Sequence, residues 1–446
     1  MDKAIRGMDV KKQNWANRII IVIIVGIFLV VTALITRNKN LLDQKIEKAT
    51  ATMQKEEKSF EIWTIEGDIE DVIEEVIPIY KKACPDIRFK IKVFKSDIYN
   101  DVLLNASRTN SLPDVFFSWG DQRLEDLIEL DVIADITETV KNQSEYRFED
   151  NALEGYTFNN KLYGLPVFGW NNILYCNTEI FKTYNLDLPT TYEELLEVVE
   201  VLKSRGVTPM IIGGAEPWTI SLYFMELVLD SGDMSSIENL RQNPSFFRSD
   251  EFQKAAMQFK RLIDLRPWQQ NFETMTSSAA IDDFIVGKGA MMLLGSWSSI
   301  EIDSVLHSLV KGKIQAIHFP RNNIDDTGIG GYADGFVLNK NTTLEEIDVQ
   351  KLFVDMMKQI SDRSVEGKGL GIPVYKDQSL EGTRYELLKQ CHSVFTAKQY
   401  HHAYDQCLEY DFVKHYNRGL EAFVKGYISV QEFINQSVEI GKYDNK

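Results

Sequence analysis

The chain has 446 residues, 44% of them hydrophobic, which is enough to bury a full core and to divide into more than one domain. Its 66 acidic against 49 basic residues give a net charge of −17 and exclude nucleic acid as the main partner, because phosphate binding needs a basic surface. Four cysteines without a CxxC pair exclude a disulfide scaffold.

Residues 19–35 read IIIVIIVGIFLVVTALI, an apolar run without charge and near the lower length limit for a membrane span. Lys3, Arg6, Lys11, Lys12 and Arg18 precede it, whereas Arg37 and Lys39 follow. The charge bias places residues 1–18 in the cytoplasm, a transmembrane signal anchor at 19–36, and everything beyond outside the cell. Cleavage as a signal peptide is the rival reading, but Thr32-Ala33-Leu34-Ile35 offers no small-x-small site. Residues 37–58 are charged and polar, with Leu41, Leu42 and Ile46 at helical spacing, and read as a helical stalk.

Phe60 to Ile65 alternates and predicts a strand, followed by an amphipathic helix over Ile69 to Cys84 that Pro85 ends. Arg88 to Phe94 predicts a second strand, and Asp97 to Arg108 a helix with Asp97 as its cap. Asp114 to Ser118 is a third strand, and the β-α-β-α-β order implies a parallel, doubly wound sheet. Asn159 to Gly164 is a turn, Ile173 to Cys176 a strand, and Thr190-Thr191-Tyr192-Glu193-Glu194 opens a helix with a hydroxyl cap. Helical patterns then run to about Val310, broken at Met210 to Gly214 and Ala290 to Gly295. Strands return at Ile314 to Pro320 and Gly335 to Asn339, and the last 80 or so residues read as helices.

No phosphate loop, nucleophile elbow or HExxH motif is present. Cys391, His392, His401, His402 and Cys407 cluster loosely, but their spacing fits no standard zinc site, so no metal or cofactor is expected. A Cys391–Cys407 disulfide stays open for an extracellular domain. What the sequence does offer is tryptophan beside acid: Trp119, Glu216-Pro217-Trp218 and Gly295-Ser296-Trp297. Ring faces cover the C–H faces of pyranoses, and carboxylates accept from their hydroxyls.

The combined pattern resembles the family 1 extracellular solute-binding proteins of ABC sugar importers, the group that includes maltose-binding proteins. The resemblance runs from about Phe60 to Ser429. It rests on FEIWTI before an acidic helix, Leu112-Pro113-Asp114-Val115-Phe116 with Trp119, and Lys161-Leu162-Tyr163-Gly164-Leu165-Pro166-Val167. Leu174-Tyr175-Cys176-Asn177, with Cys where the family usually has Tyr, and Leu188-Pro189-Thr190-Thr191-Tyr192-Glu193-Glu194-Leu195 complete it. The resemblance implies a two-lobe α/β fold of the type II periplasmic-binding-protein kind. Lobe 1 would hold residues 59–172 and 335–372, and lobe 2 residues 173–334 and 373–446.

It also implies a non-enzymatic monomer that holds a carbohydrate, with several rings favouring an oligosaccharide, and hands it to ABC permease subunits. Carried over by position, Glu66, Trp119, Asp121, Trp170, Asn171, Glu216, Trp218, Trp297, Tyr332 and Asp334 would contact ligand. Phe412 would supply a stacking ring near the C-terminus. The departure from the family is the anchor, since Gram-positive members usually carry a lipidated cysteine. The anchor leaves two alternatives, a ligand-presenting subunit of a membrane sensor kinase and a surface carbohydrate-active enzyme.

Overall fold

The computed structural model describes residues 15, 22–45, 58–232, 244–304, 308–323, 327–344, 347–394, 399–404, 408 and 410–443. Residues 1–58 and 59–446 form two separate units.

The first unit contains helix α1, Val22–Lys45, with its apolar side chains exposed. Its 24 residues correspond to about 36 Å of helix, longer than the roughly 30 Å hydrocarbon layer. Thr32 and Thr36 donate their hydroxyls to Phe28 O and Thr32 O, so neither leaves a bare polar group on the apolar surface. The helix continues through Arg37, where the stalk was expected to begin. Residues 1–14, 16–21 and 46–57, including most of the basic flank and the rest of the stalk, lie outside the described residues.

The second unit carries eleven strands among the described residues. They are β1 Lys58–Ile65, β2 Ile87–Phe94, β3 Val115–Trp119, β4 Thr157–Phe158, β5 Lys161–Leu162, β6 Gly164–Asn177, β7 Thr208–Ile211, β8 Gly289–Gly295, β9 Ile314–Ile317, β10 Thr327–Leu338 and β11 Gln399–His401. Nine join in one sheet whose main path runs β2-β1-β3-β10-β6-β8-β7, with β11 on β10 and β9 on β6. β1 and β3 pair in parallel, as the β-α-β order requires. The centre of the sheet departs from the all-parallel expectation. β10 returns from far along the chain and pairs antiparallel with both β3 and β6.

The helices after β1 and β2 are α2, Asp68–Ala83, and α3, Ser96–Arg108. α3 starts one residue before the expected cap: Lys95 holds the cap position without a side-chain hydrogen bond, and Asp97 is already helical. α4, Gln122–Glu129, follows β3. The hairpin between β4 and β5 turns on Asn159 and Asn160, with φ of 50° and 61°, which asparagine tolerates better than other residues with side chains.

Two hydrophobic cores lie on either side of the sheet centre. One gathers Phe60, Ile62, Phe116, Phe117, Leu165, Phe336 and Met357; the other Leu174, Tyr175, Val199, Phe224, Phe259, Leu293 and Phe433. β6 gives Leu165 and Val167 to the first and Trp170 to Cys176 to the second. β10 likewise gives Phe336 to Leu338 to the first and Ile329 to the second. These two long strands therefore cross between the lobes, and glycines let them do so closely. A Cβ at Gly330 would lie 2.2 Å from Trp170 O, and one at Gly335 2.2 Å from Leu165 O.

Candidate functional site

The pleat of β6 sorts the crossing residues onto two faces. Trp170 and Asn172 point one way. The Trp170 ring meets Trp297 edge-on at 4.8 Å between centroids, and Asn172 Nδ2 donates to Glu226 Oε1 at 2.9 Å. Gly169 and Asn171 face the other way. A Cβ at Gly169 would sit 2.8 Å from the Tyr332 ring, and Asn171 Nδ2 donates to Cys391 O at 3.2 Å.

On the Trp170 face the sequence brings three tryptophans together. Trp297 follows β8 in a short turn, and its ring lies between Trp170 and Trp218, whose centroid is 6.1 Å away. Trp218 sits in the first turn of the helix Pro217–Ser231, where Pro217 lacks the N–H that would have no partner at a helix N-terminus. Glu216 precedes that helix and is fixed by three donors. Trp218 Nε1 reaches its Oε2 at 3.1 Å, Ser277 Oγ the same oxygen at 2.7 Å, and Ser277 N its Oε1 at 3.3 Å. Trp218 and Trp297 stay half-buried, whereas Trp170 is buried. Trp170 Nε1 and the Oδ1 atoms of Asn171 and Asn172 have no partner among the described residues.

Deeper on the same face, Glu226 and Arg321 are both buried, 3.8 Å apart. Burial pushes the Glu226 carboxyl up from its usual value, opposed by Arg321 and by the Asn172 hydrogen bond.

The remaining expected contacts lie elsewhere. Trp119 is half-buried against Tyr99 and Phe117, with the Arg123 guanidinium 4.8 Å over its ring. Asp121 adopts φ 59° and ψ −135°, donates its N–H to Gly155 O at 2.7 Å, and pairs its carboxylate with His402 Nδ1. Glu66 is exposed just beyond β1. Asp334 is buried in β10 opposite Trp119, where a bulge interrupts the ladder with β6. The phenol of Tyr156, pushed up by burial and by the nearby Asp334 and Asp121, donates to Ser118 O at 2.7 Å and Ala333 O at 2.5 Å. Phe412 is a core residue, stacked on Phe247 and Tyr416 and 4% exposed, so it offers no face to a ligand. The ten expected contacts thus do not form one constellation: Trp170, Glu216, Trp218 and Trp297 do, and Asn171 and Tyr332 face away from them.

A cavity of 980 Å³ opens on the Tyr332 face, lined from residues 149–154 and 378–381 and by Lys389, His392, Tyr400 and His402. Of the expected contacts only Tyr332 lines it, together with His392, Tyr400 and His402, which the sequence did not single out as ligand contacts. A sequence signal for His402 existed in the His401-His402 pair, but nothing local said that it would meet Asp121, 281 residues away. Cys391 beside this cavity is a free, buried thiol, and burial pushes it up to about 12. Cys407 lies outside the described residues. Among the described residues no group of His, Cys, Asp and Glu is placed to hold a metal ion.

Residues 64–358 match the sequence profile of the bacterial extracellular solute-binding proteins. The chain belongs to that family. This solute-binding protein is 21% identical over 256 residues to an uncharacterized ABC transporter extracellular-binding protein of Pyrococcus horikoshii, covering 56% of the chain. It is 28% identical over 148 residues to the multiple sugar-binding protein of Streptococcus mutans, covering 32% of the chain. Those matches span 58% and 35% of the two relatives, less than two thirds of either.

Among solved structures, one from work on xylan utilization by Caldanaerobius polysaccharolyticus superposes with a TM-score of 0.79 at 24% identity, covering 85% of this chain and 99% of that one. A chitin oligosaccharide binding protein gives 0.79 at 20% identity, with 87% and 98% covered. The fold of this solute-binding protein is the two-lobe, mixed α/β type II fold.

Proposed function

We propose that the protein captures a carbohydrate, an oligosaccharide of two or more rings, between its lobes and delivers it to the permease of an ABC importer. The tryptophan cluster carries the reading. Trp218 and Trp297 offer half-exposed ring faces beside Glu216, whose carboxylate three donors hold in place. Fixed acceptors next to apolar faces are what a polyol requires. Sugar-binding relatives such as the Streptococcus mutans protein agree with this reading. Lobe 1 comprises residues 59–172 and 335–372 and lobe 2 residues 173–334 and 373–446, with β6 and β10 as the hinge. Trp119, Asp121, Glu66 and Asp334 would join the ligand from lobe 1 on closure. The apolar helix Val22–Lys45 would tether the lobes outside the membrane. Calorimetric titration with mono- and oligosaccharides tests the reading: micromolar or tighter binding of at least one sugar is expected. Failure of every sugar, with binding of a peptide or metal instead, would overturn it.

A further inference from the structure

His402 sits where two glycines make room for its ring. A Cβ at Gly155 would lie 3.0 Å from its Cε1, and one at Gly331 2.6 Å from its Nε2. Its Nδ1 pairs with the carboxylate of Asp121. That aspartate has φ 59°, uncommon for a residue with a side chain, and its N–H donates to Gly155 O at 2.7 Å. The two partners belong to different cores. Trp119 and Leu124, on either side of Asp121, pack with the first, and Ala403 and Tyr404, after His402, with the second. The contact lies beside Gly331, in one of the two strands that cross between the lobes.

We propose that His402 and Asp121 form a pH-sensitive latch between the lobes. With the imidazole protonated the pair holds the arrangement seen here, and with it neutral the lobes part more readily. An imidazolium and a carboxylate attract by charge as well as through the hydrogen bond, whereas a neutral imidazole keeps only the hydrogen bond. The latch is therefore fully present below histidine's ordinary value, about 6.5, and is lost as pH rises through the value the ring takes in the pair. His402 lines the cavity, so solvent protons reach it. Glu149, Glu154, Glu381 and Asp150, which Lys376 engages at 2.6 Å, add negative charge around that cavity. The cavity's Lys389 is engaged by Glu386 at 2.8 Å, and burial pushes the cavity's other histidine, His392, down, so neither sets a free cation against the imidazolium. The phenols of Tyr332 and Tyr400 complete the wall and are uncharged at neutral pH. The latch stands without the carbohydrate reading, and a ligand that engaged Asp121 would compete with His402 for it.

The test needs no ligand. The full chain in detergent, with Cys84→Ser and Cys407→Ser, carries dyes at Glu74→Cys and Glu200→Cys, two exposed helix positions beside the first and second cores. Single-molecule energy transfer then reads the distance between the lobes at pH 5.5 and at pH 8.0. The arrangement seen here is expected to dominate at pH 5.5, and its share to fall about twofold or more at pH 8.0. His402→Gln and Asp121→Asn should each abolish that difference, whereas His392→Gln keeps it. Asparagine tolerates the φ of position 121, so Asp121→Asn preserves the turn, and cooperative melting checks that each variant folds. A distribution that does not change with pH in the natural protein overturns the proposal. So does a pH response that survives His402→Gln or Asp121→Asn, or one that is lost in His392→Gln.

Discussion

Trp297 lies where it does because residue 295 is glycine: a Cβ there would come within 2.0 Å of the indole ring. The turn thus folds the ring back over β8, between Trp170 and Trp218, and leaves it half-buried. Position 412 shows the opposite outcome for an aromatic nominated only by its place in the family resemblance, since Phe412 stacks wholly inside the second core. Removing a stacking face costs about 1–3 kcal/mol of binding, roughly tenfold to a hundredfold in affinity. Trp218→Ala and Trp297→Ala are each expected to lose that much carbohydrate affinity and to melt cooperatively as folded proteins. Calorimetry and thermal unfolding on the same samples check this. A variant that unfolds marks a core tryptophan, and unchanged affinity in both removes the cluster from the site.

At the level of elements, Thr191 and Glu194 show how far local chemistry reaches. The helix Tyr192–Ser204 carries a complete capping box, with Thr191 Oγ1 accepting from Glu194 N at 3.3 Å and Glu194 Oε2 from Thr191 N at 3.3 Å. Thr191→Ala is expected to cost about 1 kcal/mol, read as a lower thermal midpoint. Hydrogen bonds from the Thr190 N–H, the Thr190 hydroxyl and the Thr191 N–H hold the Glu194 carboxyl below its usual range. A depressed acid stabilises the fold above its unfolded value, near 4.3, and that stability is lost as pH falls through the folded value. Glu194→Gln should therefore narrow its gap from the natural protein as pH drops from 6 to 3 in parallel melting series. A constant gap would mean that the cap does not titrate.

The Thr191 capping box, the Asn159-Asn160 turn and the alternating strands were legible because each is decided by a few neighbouring residues. The antiparallel entry of β10 was not, since it pairs residues 159 to 173 positions apart in sequence, from Gly330 with Asn171 to Val337 with Gly164. Its closeness to β6 depends on Gly335, where a Cβ would meet Leu165 O at 2.2 Å and Tyr156 Oη at 2.6 Å. Gly335→Ala should cost about 3 kcal/mol by forcing the strands apart, seen as a lower urea midpoint. An unchanged midpoint would show that the strands have room to move.

For the whole molecule, family resemblance made the two lobes readable, and the tryptophan cluster followed from two short motifs. Tyr332 and Asn171 were harder to place, because strand pleat decides which face of the crossing they serve. His402 could not be found at all without the fold that brings it to Asp121. The N-terminal helix raises the largest-scale question. Val22–Lys45 is apolar through its first two thirds and exposes that surface, which water would not favour. An uncleaved helix would keep the receptor within reach of the permease proposed for it, raising effective concentration without any new contact. Protein extracted from membranes with detergent is therefore expected to retain residues 1–36, as intact-mass analysis would show. A mature N-terminus between Thr32 and Lys58, or recovery from the culture medium without detergent, would make the segment a cleaved signal. The lobes would then have to find the proposed permease by free diffusion.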